Sequence, residues 1–175
     1  MKKFLVASLF LASLLTVSSY GETVQIQNVA SGKCLDVPNL NPNNHIKIQQ
    51  YSCRGSNDSL INAQLWRLKI IKGKIQIQSV TSGKCLDVPD FNSNNHVQIQ
   101  QYTCRGSNDP LVKAQLWEFK KIGNTTQIKS VTSGKCLDIP NLSTNNHVIL
   151  QQFTCNLSRN NLLDAQLWRL DEFFK

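Results

Sequence analysis

The segment "SGKCLDVPNLNPNNHIKIQQYSC", Ser31 to Cys53, occurs three times along the 175-residue chain. It returns as "SGKCLDVPDFNSNNHVQIQQYTC" from Ser82 and as "SGKCLDIPNLSTNNHVILQQFTC" from Ser133. The first cysteine of each copy stands at 34, 85 and 136, and a tryptophan follows at 66, 117 and 168, so the period is 51 residues. A constant period of this length marks repeated supersecondary units that bury their faces against one another. The three units fill the chain from Glu22 to Lys175 as one domain, roughly 22–72, 73–123 and 124–175, with no room for a second. If the repetition were only architectural, core and turn positions would recur while polar ones drift. Polar positions recur as well, which points to function.

Each unit reads as strands. "VQIQNV" from Val24, "KIQIQSV" from Lys74 and "TQIKSV" from Thr126 alternate apolar and polar residues with period two. So do "HIKIQQY", "HVQIQQY" and "HVILQQF", from His45, His96 and His147. Ser-Gly-Lys and Asn-Asn-His, between these runs, are turn chemistry. The stretch before each tryptophan, such as "SLINAQLW", has room for one helical turn. Repeated short strands with regular turns predict an all-β fold, a closed barrel or a propeller. Three units are too few blades for an ordinary propeller, which favours a barrel with threefold symmetry.

The first residues have the three-part pattern of a secretory signal peptide: Met1-Lys2-Lys3, an apolar run from Phe4 to Val17, then small and polar residues to Gly21. Cleavage is expected after Gly21, with Ser19 as the alternative cut. The apolar run is short for a bilayer span, and nothing later approaches one. Without Lys2 and Lys3, 17 basic residues face 11 acidic ones, a net charge of about +6. The lysines are scattered and not interleaved with aromatics, so the charge serves solubility and mild attraction to anionic surfaces, not nucleic-acid binding. Six cysteines in an exported chain predict disulfides. Because 34 and 53, 85 and 104, and 136 and 155 share one spacing, three equivalent bridges are the simplest pairing. Each would contribute about 3 kcal/mol in the chain-entropy model. No close Cys-x-x-Cys spacing calls for zinc.

At "GKCLDV", "IQQYSC" and "AQLW" the sequence resembles the ricin B-type lectin family. The family's closing Gln-x-Trp triplet is matched by Gln64-Leu65-Trp66, Gln115-Leu116-Trp117 and Gln166-Leu167-Trp168, in register with three cysteine pairs. The resemblance implies a β-trefoil of twelve strands with pseudo-threefold symmetry and up to three sugar pockets. It places the carboxylate that accepts sugar hydroxyls on Asp36, Asp87 and Asp138. The polar strand residue falls on Gln49, Gln100 and Gln151, and the aromatic platform on Tyr51, Tyr102 and Phe153. Gln64, Gln115 and Gln166 would support the pocket from behind, while the three tryptophans belong to the core. This set suits a pyranose, whose C–H face stacks on a ring and whose hydroxyls donate to a carboxylate.

Three features depart from the family. Ala63, Ala114 and Ala165 stand where many members place a sugar-binding asparagine. The segment before each Gln-x-Trp is about three residues longer and carries an apolar pair: Leu60-Ile61, Leu111-Val112, Leu162-Leu163. Asn62, Lys113 or Asp164 are the candidates for a substitute donor. The third copy departs further, with Phe153 in place of tyrosine and "NLSRN" where the first two read "RGSND"; its pocket is expected to be the weakest. His45, His96 and His147 recur at turns, expected at separate hairpin tips with a turn or pocket-edge role rather than a shared metal. One acid per unit is the wrong arrangement for glycoside hydrolysis. The chain therefore reads as a secreted, non-catalytic carbohydrate-binding lectin without a cofactor, for galactose- or xylose-type ligands on glycoconjugates. The alternative is a protein-binding trefoil, such as an inhibitor or the receptor-binding subunit that accompanies a toxin or enzyme partner.

Overall fold

The alternation that defines the long strands places their apolar faces in one common core. The computed structural model describes residues 23–157 and 161–172; the expected signal peptide and Ser158 to Asn160 of the third-copy departure lie outside the described residues. Fourteen strand segments are assigned there. Repeat 1 contributes β1 (Thr23–Asn28), β2 (Cys34–Asp36), β3 (Gln49–Tyr51) and β4 (Trp66–Ile71). Repeat 2 contributes β5 (Lys74–Ser79), β6 (Cys85–Asp87), β7 (Val97–Gln98), β8 (Gln100–Tyr102) and β9 (Leu116–Ile122). Repeat 3 contributes β10 (Thr125–Ser130), β11 (Cys136–Asp138), β12 (Val148–Ile149), β13 (Gln151–Phe153) and β14 (Leu167–Glu172).

Six of these close a barrel by antiparallel pairing in the ring β1–β4–β5–β9–β10–β14 and back to β1. Ile26, Ile77 and Ile128 point into it, packed with Trp66, Trp117 and Trp168, all fully buried. Each indole N–H is satisfied by a backbone carbonyl: Trp66 donates to Leu35 O at 3.1 Å, Trp117 to Leu86 O and Trp168 to Leu137 O, both at 3.3 Å. A buried indole with its donor paired belongs to the core, as the family resemblance implies.

The remaining strands form three hairpins that cap one end: β2 with β3, β6 with β8, β11 with β13. At the threefold axis the backbone N–H of Ile48 bonds Ile99 O, Ile99 bonds Leu150 O, and Leu150 bonds Ile48 O, at 3.0, 3.0 and 2.9 Å. This cyclic exchange interrupts the regular ladder, so the predicted "HVQIQQY" strand appears as β7 and β8, and "HVILQQF" as β12 and β13. Counting each split run once recovers the twelve strands of a β-trefoil. The hairpins are also stitched in a cycle: Lys47 of repeat 1 bridges to Gln100, β7 pairs with β13, and β12 pairs with β3. One disulfide per repeat closes each hairpin: Cys34–Cys53, Cys85–Cys104 and Cys136–Cys155. The expected helical turn before each tryptophan is present at Ile61–Gln64, Val112–Gln115 and Asn161–Asp164.

Candidate functional site

Strand register brings the predicted residues together. In repeat 1, Cys34 faces Tyr51, Leu35 faces Gln50 and Asp36 faces Gln49 across the β2–β3 pair. Because side chains alternate across a strand, Asp36, Gln49 and Tyr51 share one face while Leu35 and Gln50 share the other. Asp36 is only 2% exposed, and one amide holds each of its oxygens. Gln49 Nε2 donates to Oδ1 at 2.8 Å, and Gln64 Nε2 donates to Oδ2 at 3.1 Å. Repeat 2 reproduces this at Asp87 with Gln100 at 2.9 Å and Gln115 at 3.2 Å. Repeat 3 does so at Asp138 with Gln151 at 2.7 Å and Gln166 at 3.1 Å.

Gln64 lies behind the site with every amide position used. Its Nε2 also donates to Ser52 O at 3.0 Å, and its Oε1 accepts from Gln25 Nε2 at 3.1 Å and Arg54 N at 2.8 Å. Gln115 and Gln166 are bonded in the same way, with Gln76 and Gln127 in the role of Gln25. Burial pushes the Asp36, Asp87 and Asp138 carboxyls above their ordinary pKa, against the opposing pull of their two glutamine bonds. Arg54 and Arg105 add a counter-pull in the first two repeats; the third has none from arginine.

The fourth wall comes from another repeat. His147 Nδ1 lies 3.2 Å from Gln49 Oε1, His45 Nδ1 lies 3.4 Å from Gln100 Oε1, and His96 Nδ1 lies 3.1 Å from Gln151 Oε1. Each imidazole also meets the aromatic ring of that pocket edge to face, at 5.0 Å between centroids: His147 on Tyr51, His45 on Tyr102, His96 on Phe153. Since the glutamine Nε2 is committed to the aspartate, the atom facing the histidine is its carbonyl oxygen. Nδ1 is then the donor, an arrangement that in a neutral ring leaves Nε2 as an acceptor. Of the turn or pocket-edge role expected for these histidines, the turn is seen in their left-handed φ of 65°, and each ring also stands at the edge of the candidate pocket of a different repeat.

Several recurring polar residues serve this assembly rather than the pocket. Gln50 Nε2 clamps Ser143 O and Asn145 O, both at 2.8 Å, in the loop that carries His147. Gln101 clamps Asn41 O and Asn43 O, and Gln152 clamps Asn92 O and Asn94 O. Asn146 Oδ1 accepts Ser52 N–H at 2.9 Å, and Asn44 and Asn95 do the same for Thr103 and Thr154. The inference from recurring polar residues to function therefore cannot apply to all of them. Inter-repeat seams need repeated polar groups as much as ligands do, and one copy of the sequence gives no sign of which partner lies across a seam.

The cleft of repeat 2 has a volume of about 210 Å³ and that of repeat 3 about 200 Å³. The third is thus formed as fully as the second. Of the expected substitute donors, neither Lys113 nor Asp164 lines the cleft of its repeat; Arg105 and Asn156 stand there instead. Arg105 lies over the Tyr102 ring at 5.1 Å and pairs with Asp109 at 3.3 Å, and Arg54 lies over Tyr51 at 4.7 Å and pairs with Asp58 at 3.1 Å. The second cleft also holds Asp90, where the other repeats have Asn39 and Asn141, so the count of one acid per unit fails there.

A family model described as the ricin-type beta-trefoil lectin domain matches residues 22–161. Among solved structures the chain is similar to a designed threefold-symmetric protein, ThreeFoil, at 28% identity and TM-score 0.73 over 86% of this chain and 99% of that one. It is similar to an exo-beta-1,3-galactanase from Clostridium thermocellum at 30% identity and TM-score 0.72, over 87% of this chain but 30% of the galactanase. It shares its fold with the Macrolepiota procera ricin B-like lectin in complex with lactose, at 19% identity and TM-score 0.66, over 90% of this chain and 99% of that one. No curated protein sequence matches at a significant level.

Proposed function

The chain belongs to the ricin-type β-trefoil lectin domain family, and from that premise we propose that it is a secreted, non-catalytic carbohydrate-binding protein with one sugar pocket per repeat. The observation that carries the reading is the threefold recurrence of a carboxylate held by two glutamine amides beside an aromatic ring. A carboxylate has about four acceptor directions, so two remain for sugar hydroxyls after the glutamines are served. Bonds to an ionised acceptor are stronger than neutral ones, and the ring supplies an apolar surface for the C–H face of a pyranose. In this reading Asp36, Asp87 and Asp138 accept hydroxyls, Gln49, Gln100 and Gln151 orient them, Tyr51, Tyr102 and Phe153 stack, and Gln64, Gln115 and Gln166 hold the carboxylates in place.

Three modest pockets on one small body gain by multivalency, about 10²–10⁴-fold over one site when a glycan surface engages them together. Ligands of the galactose or xylose type follow from the family resemblance. Export is supported by the three disulfides and the pattern of residues 1–21. The test is a glycan array probed with the disulfide-intact protein, followed by competition with free galactose, lactose and xylose, with a glycoside panel to score hydrolysis. Specific signal competed by one sugar class, without turnover, is the expected result. A silent array from folded protein would overturn it and favour a protein ligand. Leu60, Leu111 and Leu162 are exposed enough to meet such a ligand, whereas Ile61, Val112 and Leu163 are buried.

A further inference from the structure

Of the large apolar side chains exposed on the described surface, Phe91, Leu111 and Leu162 line the clefts, whereas Ile70 and Leu157 do not. Leu60, Leu111 and Leu162 are 42%, 43% and 55% exposed, and Phe91 is 37% exposed. Leu111 and Phe91 line the cleft of repeat 2 together with Ala114, and Leu162 and Leu142 line that of repeat 3 with Ala165. These residues face the polar wall of aspartate, glutamine and histidine. Where the family has an asparagine, these clefts therefore carry an apolar side.

The backbone is strained to build it. Asn39 and Leu40, Asp90 and Phe91, and Asn141 and Leu142 are consecutive left-handed residues, with φ between 53° and 55°. Leucine and phenylalanine avoid that region, and strain of this kind persists where the surroundings enforce it, often at binding sites. Core packing accounts for part of Leu142, which rests against the main cluster, but not for Phe91, which is not among the side chains packed there. On the opposite side Asp58 Oδ1 accepts Leu60 N–H at 2.8 Å and Asp109 Oδ1 accepts Leu111 N–H at 2.7 Å, fixing the leucines at the lip of the insert. The left-handed apolar residue recurs in all three copies and the aspartate-held leucine in the first two, while in repeat 3 Leu162 O accepts from Asn156 Nδ2 at 3.0 Å, so the arrangement is a built feature.

We propose that each pocket has an apolar subsite, formed by residue 40, 91 or 142 with leucine 60, 111 or 162, that receives a methyl-bearing substituent of the bound sugar. This rests on the carbohydrate-binding reading and refines its ligand class: a 6-deoxy sugar, whose methyl replaces a hydroxymethyl, or an N-acetylated sugar. Removing a hydroxyl avoids burying an unpaired polar group against leucine, and an added methyl gains by transfer from water.

The test is calorimetric titration of the full chain, disulfides intact, with matched sugars: D-galactose against D-fucose and N-acetyl-D-galactosamine, and D-glucose against N-acetyl-D-glucosamine. At least one methyl-bearing member should bind about fourfold tighter than its parent, and which one does so separates the deoxy from the N-acetyl ligand. In the combined variant Leu60→Ser, Leu111→Ser, Leu162→Ser, the members of that pair should converge. Phe91→Asn places a residue that tolerates left-handed φ, so its thermal midpoint should hold or rise while the preference shrinks. Equal affinities within every pair, or a preference that survives the leucine variant, refute the subsite and leave the carbohydrate reading standing. Binding of none of these sugars, with a silent glycan array, removes that reading and the subsite with it.

Discussion

Replacing Asp36 by asparagine separates the pocket's chemistry from its architecture. The change is isosteric but turns one acceptor oxygen into a donor. Gln64 has every amide position engaged and cannot turn, so the remaining oxygen of the asparagine must face it. The new amino group then faces Gln49, which can flip and present its oxygen. That flip turns the Gln49 amino group toward His147 Nδ1, and the imidazole answers by moving its proton to Nε2. The network can therefore close again with neutral bonds. Two charge-assisted bonds are weakened, but a buried charge is removed, so the net change in stability should lie within about 1 kcal/mol. That is a shift of about 2–4 °C at most for a chain of this size. Binding should suffer far more, because the acceptors offered to sugar hydroxyls are now weaker and His147 Nε2 has become a donor. Loss of one such bond is worth about 1.5–3 kcal/mol, or roughly 10–150-fold in that pocket's affinity. Calorimetry with the sugar selected on the array should read the stoichiometry falling from three sites to two, beside a nearly unchanged melting curve. Asp36→Leu is the contrast: it strands two buried glutamine donors at about 1–3 kcal/mol each, and the melting midpoint should drop clearly. Undiminished stoichiometry in the asparagine variant, or its unfolding, would refute this account.

Acidification should weaken sugar binding before it unfolds the protein. The folded-state pKa values of Asp36, Asp87 and Asp138 are raised, so the stability these groups contribute is fully present below the unfolded carboxylate range and lost as pH rises through the folded values. Affinity and thermal midpoint followed from about pH 7 to about pH 4 should part company, affinity falling first; a parallel fall would count against the carboxylates as ligands. Gln101→Leu removes the clamp on Asn41 O and Asn43 O and should cost about 1–3 kcal/mol in urea denaturation at unchanged m, an effect absent if the clamp is incidental. His45→Asn should weaken the pocket of repeat 2, not that of repeat 1. Calorimetry in two backgrounds, each with aspartate-to-asparagine changes in the other two pockets, checks this; an effect on repeat 1 alone would contradict the observed geometry.

Much of the fold is legible because it repeats. The period of 51 and the shared cysteine spacing give the three hairpins and their bridges, and the alternation around Ile26, Ile77 and Ile128 gives the barrel interior. The splits at Ile99 and Leu150 are not legible, because nothing local announces that three backbones meet at an axis and exchange bonds. Within the site, Asp36, Gln49, Tyr51 and Gln64 lie within one copy and can be carried over by position. His147 completes the same pocket from 98 residues away from Gln49; the sequence offers it a turn or pocket-edge role but gives no sign of whose pocket it meets. The "QQ" pairs show the limit most clearly. Gln49 faces the carboxylate and Gln50 faces the neighbouring repeat, and only the strand's alternation, fixed by register, separates a pocket residue from a seam residue.

That division explains why the pockets cannot be independent of the fold's closure. Gln50 holds the loop of repeat 3 that delivers His147 to Tyr51 and Gln49, while Gln101 and Gln152 do the same for the loops carrying His45 and His96. Each pocket therefore takes its floor and platform from one repeat and its histidine wall from another, in the cycle of 1 to 2, 2 to 3 and 3 to 1. A single repeat cut from the chain would keep its aspartate and its disulfide yet lack the wall, the clamp and the partner strands that bury Trp66. Closure and binding thus draw on the same seams, and the third copy keeps its clamp and its histidine contact even where Phe153 and Asn156 replace the tyrosine and arginine of the other two.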